Sequence, residues 1–191
     1  MREVAGQEVH DTPTLRTPDI HKLQFSLMRE EAIELYAAEI DQDRVAIADA
    51  LGDLLYVVYN TANAHGIVLD RTSRVLHDVG SAIGYYQDHA RAGNIEWVEL
   101  CLTNIKTAIF IRSEGYIPLR LVFAEIHRSN MTKLWTMDEV EEIAFDSSYT
   151  YEFVESKTDR VYRVKNKLGK LIKSKSFSPP NLAPILEAYS K

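Results

Sequence analysis

The chain has 191 residues, of which 46% are hydrophobic and 26% are charged, and its formal net charge is −6. This length allows one domain with a buried core and a small appendage, and two full domains would be a tight fit. No apolar run reaches membrane-spanning length, the first residues lack the apolar core of a secretory signal, and a single cysteine excludes an internal disulfide. We therefore expect a cytoplasmic protein with no membrane partner, in which Cys101 is a small core residue.

The first elements are predicted to be an extended lead-in and a pair of helices. Residues 1–16 show no clear periodicity, whereas Thr17 and Pro18 are typical of an N-cap followed by proline at the first helical position. The first helix should run to about residue 40. A short turn then makes the second helix, about residues 44–65, fold back antiparallel, and Gly66 ends it.

The pattern stays helical to about residue 145 and then changes to strands. Four further helices are predicted, at about residues 71–92, 94–114, 118–135 and 137–145. Alternating segments then predict a small β-hairpin or three-stranded flap, with turns near residues 156–159 and 168–169, and strands at residues 149–154, 161–165 and 171–173. A last helix is expected at about residues 182–189. We predict a mainly α protein, an antiparallel helical bundle over residues 17–145 with a β flap and a C-terminal helix over residues 146–191.

Five carboxylates on the first two helices are the strongest chemical signal. Helical spacing places Asp49 and Asp53 on one face of the second helix. Glu31 and Glu34 share one face of the first helix, with Glu30 at its edge, and the hairpin brings that face opposite the two aspartates. Two carboxylates about 4 Å apart repel by about 4 kcal/mol at an effective dielectric near 20, so such a cluster needs a cation or shifted pKa values. Oxygen ligands of this kind suit Mg²⁺ or Mn²⁺. The predicted ligands are Glu30, Glu31, Glu34, Asp49 and Asp53.

Other interpretations of these carboxylates stay open. The three glutamates could form an ordinary solvated face. Asp49 and Asp53 fit that interpretation less well, because residues 45–58 contain almost no other polar side chain and an unpaired buried charge costs several kcal/mol. A carboxylate-bridged di-iron site would require a Glu-x-x-His motif, and no histidine follows the three glutamates at that spacing.

A basic segment near the C-terminus is the second electrostatic feature. Residues 157–175 contain eight Lys or Arg and one Asp. Such a segment could contact nucleotide phosphates, nucleic acid or an acidic neighbouring subunit. It could equally be a solvated hairpin whose lysines discourage edge pairing. Nucleic acid is not the partner that we expect.

Three segments carry a resemblance to a known family. They are Leu27-Met-Arg-Glu-Glu-Ala-Ile-Glu-Leu35, Ile47-Ala-Asp-Ala-Leu-Gly-Asp-Leu-Leu-Tyr-Val-Val-Tyr59 and Val122-Phe-Ala-Glu-Ile-His-Arg-Ser-Asn-Met-Thr-Lys133. In order and chemistry they resemble the all-α nucleoside triphosphate pyrophosphohydrolases, which include MazG proteins, dimeric dUTPases and phosphoribosyl-ATP pyrophosphohydrolases. Residues 169–182 are similar to the C-terminal flap and closing segment of that family.

The resemblance implies a MazG-like bundle that hydrolyses a nucleoside triphosphate to the monophosphate and pyrophosphate with Mg²⁺; the oxygen ligands also suit Mn²⁺. It implies that Glu31, Glu34 and Asp53 hold the metal, with Glu30 and Asp49 as further ligands or as a base that orients water. Asn130 and Lys133 would bind the phosphates, with Arg128 close by. Asn60 and Asn63 could read a base edge, or could be buried amides. A homodimer or higher homo-oligomer is expected, partly from the family and partly because the apolar residues of the first helix spread beyond one stripe; these are Phe25, Met28, Ile33 and Leu35.

Two departures from the family pattern qualify this interpretation. Ala50 occupies the position where the family usually has a Glu three residues before the Asp, and Asp49 is the candidate substitute. About forty extra residues, near 72–118, form an inserted helix pair that could widen a dimer interface, cover the active site or bind a partner. Ala50 and the insertion motivate the alternative of a non-catalytic nucleotide-binding or regulatory module with the same fold.

Overall fold

The computed structural model describes residues 12–69, 78–143, 146–155, 160–167 and 171–189. These residues form seven helices and one three-stranded sheet, which confirms the predicted fold class. No helix in this part of the chain is both long and apolar enough to cross a membrane. The helices are α1 (Pro18–Asp41), α2 (Arg44–His65), α3 (Val79–Arg91), α4 (Ile95–Ser113), α5 (Leu119–Met131), α6 (Met137–Ile143) and α7 (Ala183–Tyr189), and the strands are β1 (Tyr149–Glu155), β2 (Arg160–Asn166) and β3 (Leu171–Ile172).

The described residues fall into two compact units. The helical unit contains α1 to α4, the part of α5 up to residue 124, and α7. The flap unit contains the described residues between 125 and 180, and therefore α6 and the sheet. The division falls within α5.

The hairpin of α1 and α2 forms as the sequence predicts, because its ends are encoded locally. Pro18 is at the start of α1, although the Thr17 side chain makes no capping hydrogen bond. The Asp43 carboxylate accepts hydrogen bonds from two backbone N–H groups of the first turn of α2, at 2.9 and 3.1 Å. Gly66 ends α2 with φ 68°, a conformation that favours glycine.

The core of the helical unit forms where α1 packs on α2 and α3 packs on α4, with further contacts of α1 to α3 and of α2 to α4. The buried face of α1 passes through Met28 and Leu35, both fully buried. Leu23 and Leu27, which helical counting places on the same stripe as Glu31, are 56% and 37% exposed. The buried face of α1 therefore lies about one residue away from the counted stripe.

One predicted helix boundary differs from the structure, and another is not tested. Residues 70–77 lie outside the described residues, so the start predicted for α3 near residue 71 is not tested, and α3 is observed from Val79. The fifth helix ends at Met131, not near Trp135 as predicted. Trp135 instead exchanges two backbone hydrogen bonds with Tyr162 of β2, at 2.9 and 2.8 Å, and this pairing draws it out of the helix.

The flap unit is a three-stranded antiparallel sheet in the order β1-β2-β3. Its small core contains Trp135, Val140 and Val164, which are almost completely buried. The Trp135 indole N–H donates to the Ile172 carbonyl at 2.8 Å. The two turns predicted at 156–159 and 168–169 lie outside the described residues. The three-stranded form of the flap is thus the observed one.

Candidate metal centre and phosphate-binding residues

The structure brings the five predicted carboxylates together around Glu31, in the helical unit. Glu31 is half-buried on α1, and burial is the largest cause that raises its pKa from 4.5 to about 8. The next causes are the negative charges of Asp53, Glu34, Glu30 and Asp49, in that order. All four of these groups therefore lie within electrostatic range of the Glu31 carboxyl. The antiparallel α1–α2 hairpin produces this arrangement.

Exposure separates the five groups. Glu30 and Glu34 are exposed, whereas Glu31, Asp49 and Asp53 are half-buried. In the part of the chain that the structure describes, no three His, Cys, Asp or Glu side chains are arranged to hold one metal ion. The carboxylates are thus neighbours whose side chains would have to turn toward a common point. Their donor atoms are all hard oxygens, which fit Mg²⁺ or Mn²⁺.

Ala50 occupies the position at which the family usually has a glutamate, and it is buried in the core. Ala50 is 4% exposed, among the apolar residues of α2. A glutamate there would have to bury its carboxylate or displace its neighbours. Asp49, one residue earlier, contributes to the charge that raises the pKa of Glu31. This supports Asp49 as the substitute, although its role in metal binding stays a prediction.

An aromatic cluster near the carboxylates was not singled out from the sequence. The Phe123 ring lies 6.2 Å from the Tyr56 ring and 5.6 Å from the Tyr59 ring, the latter edge-on. Tyr56 is three residues beyond Asp53 on α2, and burial raises the pKa of Tyr59. Two features of the sequence could have indicated this cluster: the spacing of the two tyrosines on α2, and the location of Phe123 in the third family-like segment. Asn60 and Asn63 are half-buried on the same helix, and both interpretations of them stay predictions.

The predicted phosphate-binding residues lie in the flap unit. The half-buried Lys133 ammonium donates a hydrogen bond to the Asn130 side-chain oxygen. The Arg128 guanidinium donates two hydrogen bonds to the Glu125 carboxylate, at 2.9 and 2.7 Å, and one to the Pro179 carbonyl at 3.0 Å. Arg128 is therefore engaged within its own unit. The substrate-binding roles of all three residues stay predictions.

The fold and the carboxylate cluster define a class: a mainly helical protein with an acidic helix hairpin. The family model of phosphoribosyl-ATP pyrophosphohydrolase matches residues 1–79, the segment that contains α1 and α2. This confirms the resemblance to the all-α nucleoside triphosphate pyrophosphohydrolases over that segment. The type of activity to which the match points is that of a nucleotide pyrophosphohydrolase.

A relative among curated proteins extends the similarity over more of the chain. An uncharacterized protein of Acanthamoeba polyphaga mimivirus is 29% identical over 215 aligned residues, which cover 89% of this chain and 84% of that protein. No solved structure matches the chain significantly. The sequence similarity therefore extends beyond the α1–α2 hairpin, and the relative adds no activity.

Proposed function

We propose that this protein is a Mg²⁺-dependent nucleoside triphosphate pyrophosphohydrolase, which converts a ribo- or deoxyribonucleoside triphosphate to the monophosphate and pyrophosphate. The observation that carries the proposal is the gathering of four carboxylates around Glu31 between α1 and α2. This cluster lies within the segment that matches the phosphoribosyl-ATP pyrophosphohydrolase family. Converging carboxylates of this kind are unfavourable unless a cation or a proton compensates them.

The chain's own residues have distinct roles in this proposal. Glu31, Glu34 and Asp53, with Glu30 and Asp49 as further ligands, would hold Mg²⁺, which when bound neutralises phosphate charge and lowers the pKa of a water molecule. In the absence of a cation, Glu31 keeps a proton near neutral pH because its pKa is about 8. Asp49 is the better placed of the two candidate bases, because it is half-buried and Glu30 is exposed.

Substrate binding is assigned to both polar and aromatic residues. Lys133 would stabilise negative charge on the phosphoryl oxygens, and Asn130 would orient them. Phe123, Tyr56 and Tyr59 offer ring faces and edges on which a nucleobase could stack, and such stacking contributes about 1–3 kcal/mol per base. Stacking tolerates any base, so it does not predict a base preference.

Assays with a panel of ribo- and deoxyribonucleoside triphosphates test the proposal. With Mg²⁺, we expect pyrophosphate and the monophosphate in equal amounts, and no turnover with excess EDTA. We expect Phe123→Leu to raise KM about tenfold for the preferred nucleotide with little change in kcat. Release of orthophosphate alone, or no turnover of any nucleotide, would overturn the enzymatic proposal.

A non-catalytic nucleotide-binding module is the second candidate, and Ala50 is the observation that favours it. Nucleotide binding without hydrolysis in the same assays would support this candidate. Because Ala50 is buried, an Ala50→Glu substitution is expected to destabilise the fold and is a poor rescue experiment. Whether the natural chain forms products therefore decides between the enzyme and the non-catalytic module.

We also propose that the protein assembles as a homodimer or higher homo-oligomer. Leu23, Leu27 and Ile33 of α1 are exposed within one chain, and Ile33 is 56% exposed. Of the apolar residues that motivated the prediction, Met28 and Leu35 are already buried inside the helical unit. Light scattering should show a mass of at least two chains at micromolar concentration. A monomer would contradict the assembly.

A further inference from the structure

The sheet of the flap unit has a long outer strand. The strand order β1-β2-β3 places β1 at one edge, and no strand among the described residues pairs with its other side. β1 has seven residues, whereas β3, at the opposite edge, has two. An outer strand presents a row of backbone N–H and C=O groups that can pair with a further strand. β1 is therefore the longer of the two outer strands.

The hydrogen bonds of Tyr162 show which backbone groups of β1 point outward. The N–H and C=O of Tyr162 both pair with Trp135, at 2.8 and 2.9 Å, so neither group bonds to β1. Phe153 is the β1 residue opposite Tyr162, and its N–H and C=O therefore point away from β2. Because this direction alternates along a strand, Tyr149 and Tyr151 also present their backbone groups at the outer edge.

Two large aromatic side chains of β1 are exposed. Tyr151 is 51% exposed and Phe153 is 48% exposed. Both rings lie against Tyr162, with ring centroids 6.5 and 5.4 Å apart. They therefore share the sheet face that packs on Trp135 and Val164, at the margin of the small flap core. A further strand beside β1 would extend this apolar face and cover part of the exposed rings.

The residue types that usually prevent edge pairing are not found in β1. Its sequence, Tyr-Thr-Tyr-Glu-Phe-Val-Glu, contains no lysine, proline or glycine. Lysines of the basic segment lie on β2 and directly after β3 instead, at Lys165 and Lys173. Lysine and proline are common protections of an outer strand. The interpretation of the lysines as residues that discourage edge pairing therefore does not extend to β1.

β1 is complementary to a second copy of itself. An antiparallel pair with its two-fold axis through Tyr151 places Tyr151 opposite its own copy and Tyr149 opposite Phe153. All three residues then present their backbone groups to the partner. On the other face, Thr150 lies opposite Glu152, and its hydroxyl can donate to the carboxylate. An axis through Glu152 would instead place two carboxylates opposite each other, which is unfavourable. Charge and hydrogen bonding thus select the first register.

We propose that β1 pairs with β1 of a second copy of this chain, which joins two three-stranded sheets into one continuous sheet. Aromatic rings of the two copies then pack on each other across the join. The contact uses no residue of α1. It therefore specifies one interface of the proposed homo-oligomer, and it requires neither the exposed face of α1 nor the hydrolytic activity.

Light scattering of the full chain tests the pairing with a Tyr151→Lys variant. Because Tyr151 lies on the two-fold axis, this variant places two ammonium groups opposite each other, and like charges there oppose pairing. We expect the mass at micromolar concentration to fall about twofold. Tyr189→Lys makes the same change at a tyrosine of α7 that is 48% exposed, and it should keep the mass of the natural chain. Circular dichroism checks that both variants are folded.

Spin labelling measures the register without a change to the aromatic residues. In a Thr150→Cys variant that carries a nitroxide, the two labelled residues are diagonal neighbours about 7–8 Å apart. We expect strong dipolar broadening that disappears when unlabelled chain is added in excess. The natural chain, treated in the same way, gives the background from its buried Cys101.

The outcomes separate this interface from the assembly as a whole. A monomeric natural chain would overturn both. An unchanged mass in Tyr151→Lys, an equal fall in Tyr189→Lys, or no broadening at position 150 would overturn the β1 interface alone. That conclusion would hold whether the edge is then solvated or pairs with a strand of another protein.

Discussion

Glu31→Gln is expected to reduce kcat for pyrophosphate release at least about 100-fold, with the protein still folded. The substitution keeps the size of the side chain and removes the charge at the centre of the carboxylate cluster. Four other carboxylates act on Glu31, so the amide deprives the proposed metal site of its most buried glutamate. Pyrophosphate release under saturating nucleotide and Mg²⁺ measures the effect.

A matched control separates metal binding from general damage to α1. Glu39→Gln makes the same chemical change on the same helix, at an exposed side chain whose partner is Arg112 at 3.3 Å. Such surface ion pairs contribute little, so this variant should retain full activity. If Glu31→Gln kept full activity, or if both variants lost it equally, the metal assignment would be wrong.

Without a divalent cation, the free energy of unfolding should fall as the pH rises from about 5 to about 9. The pKa of Glu31 is 4.5 in its ordinary state and about 8 in the folded protein. Between these values the folded chain keeps a proton that the unfolded chain releases, so a higher pH favours unfolding. We expect a loss of about 2 kcal/mol, less than the full shift implies, because Glu31 is only half-buried.

Urea denaturation in EDTA across this range, compared between the natural chain and Glu31→Gln, isolates the contribution. The comparison cancels other titrating groups, including His21 and His127, whose pKa values are lowered by burial. In Glu31→Gln, the free energy of unfolding should not show the decrease with pH that is attributed to Glu31. Added Mg²⁺ should restore stability at high pH in the natural chain and not in the variant. Parallel curves for the two proteins would contradict the proposed environment of Glu31.

The helix ends show what local sequence can predict. Asp43 caps α2 and Gly66 ends it, and both features depend on atoms within a few residues. The end of α5 was predicted wrongly because Trp135 forms hydrogen bonds with Tyr162, far along the chain. A helical pattern contains no information about a strand that competes for the same backbone groups. Boundaries set by such long-range pairing are therefore the least predictable.

The candidate site was predicted in part. The five carboxylates and their two helices followed from spacing, and the structure groups them around Glu31. The burial of Ala50 and the approach of Phe123 to Tyr56 were not predicted. The exposure of Leu23 was likewise missed, because counting along one helix does not show which face its neighbour covers. These features arise from the packing of α1, α2 and α5.

The amino-acid sequence by itself determined the mainly helical architecture, the antiparallel hairpin and the residues that can act as oxygen ligands. These depend on hydrogen bonds, caps and turns between near neighbours in the chain. Only the tertiary structure decided which carboxyl is partly buried among the others, and that Ala50 is enclosed by the core. Desolvation and charge–charge repulsion depend on distances between packed helices, and no count along the chain contains those distances.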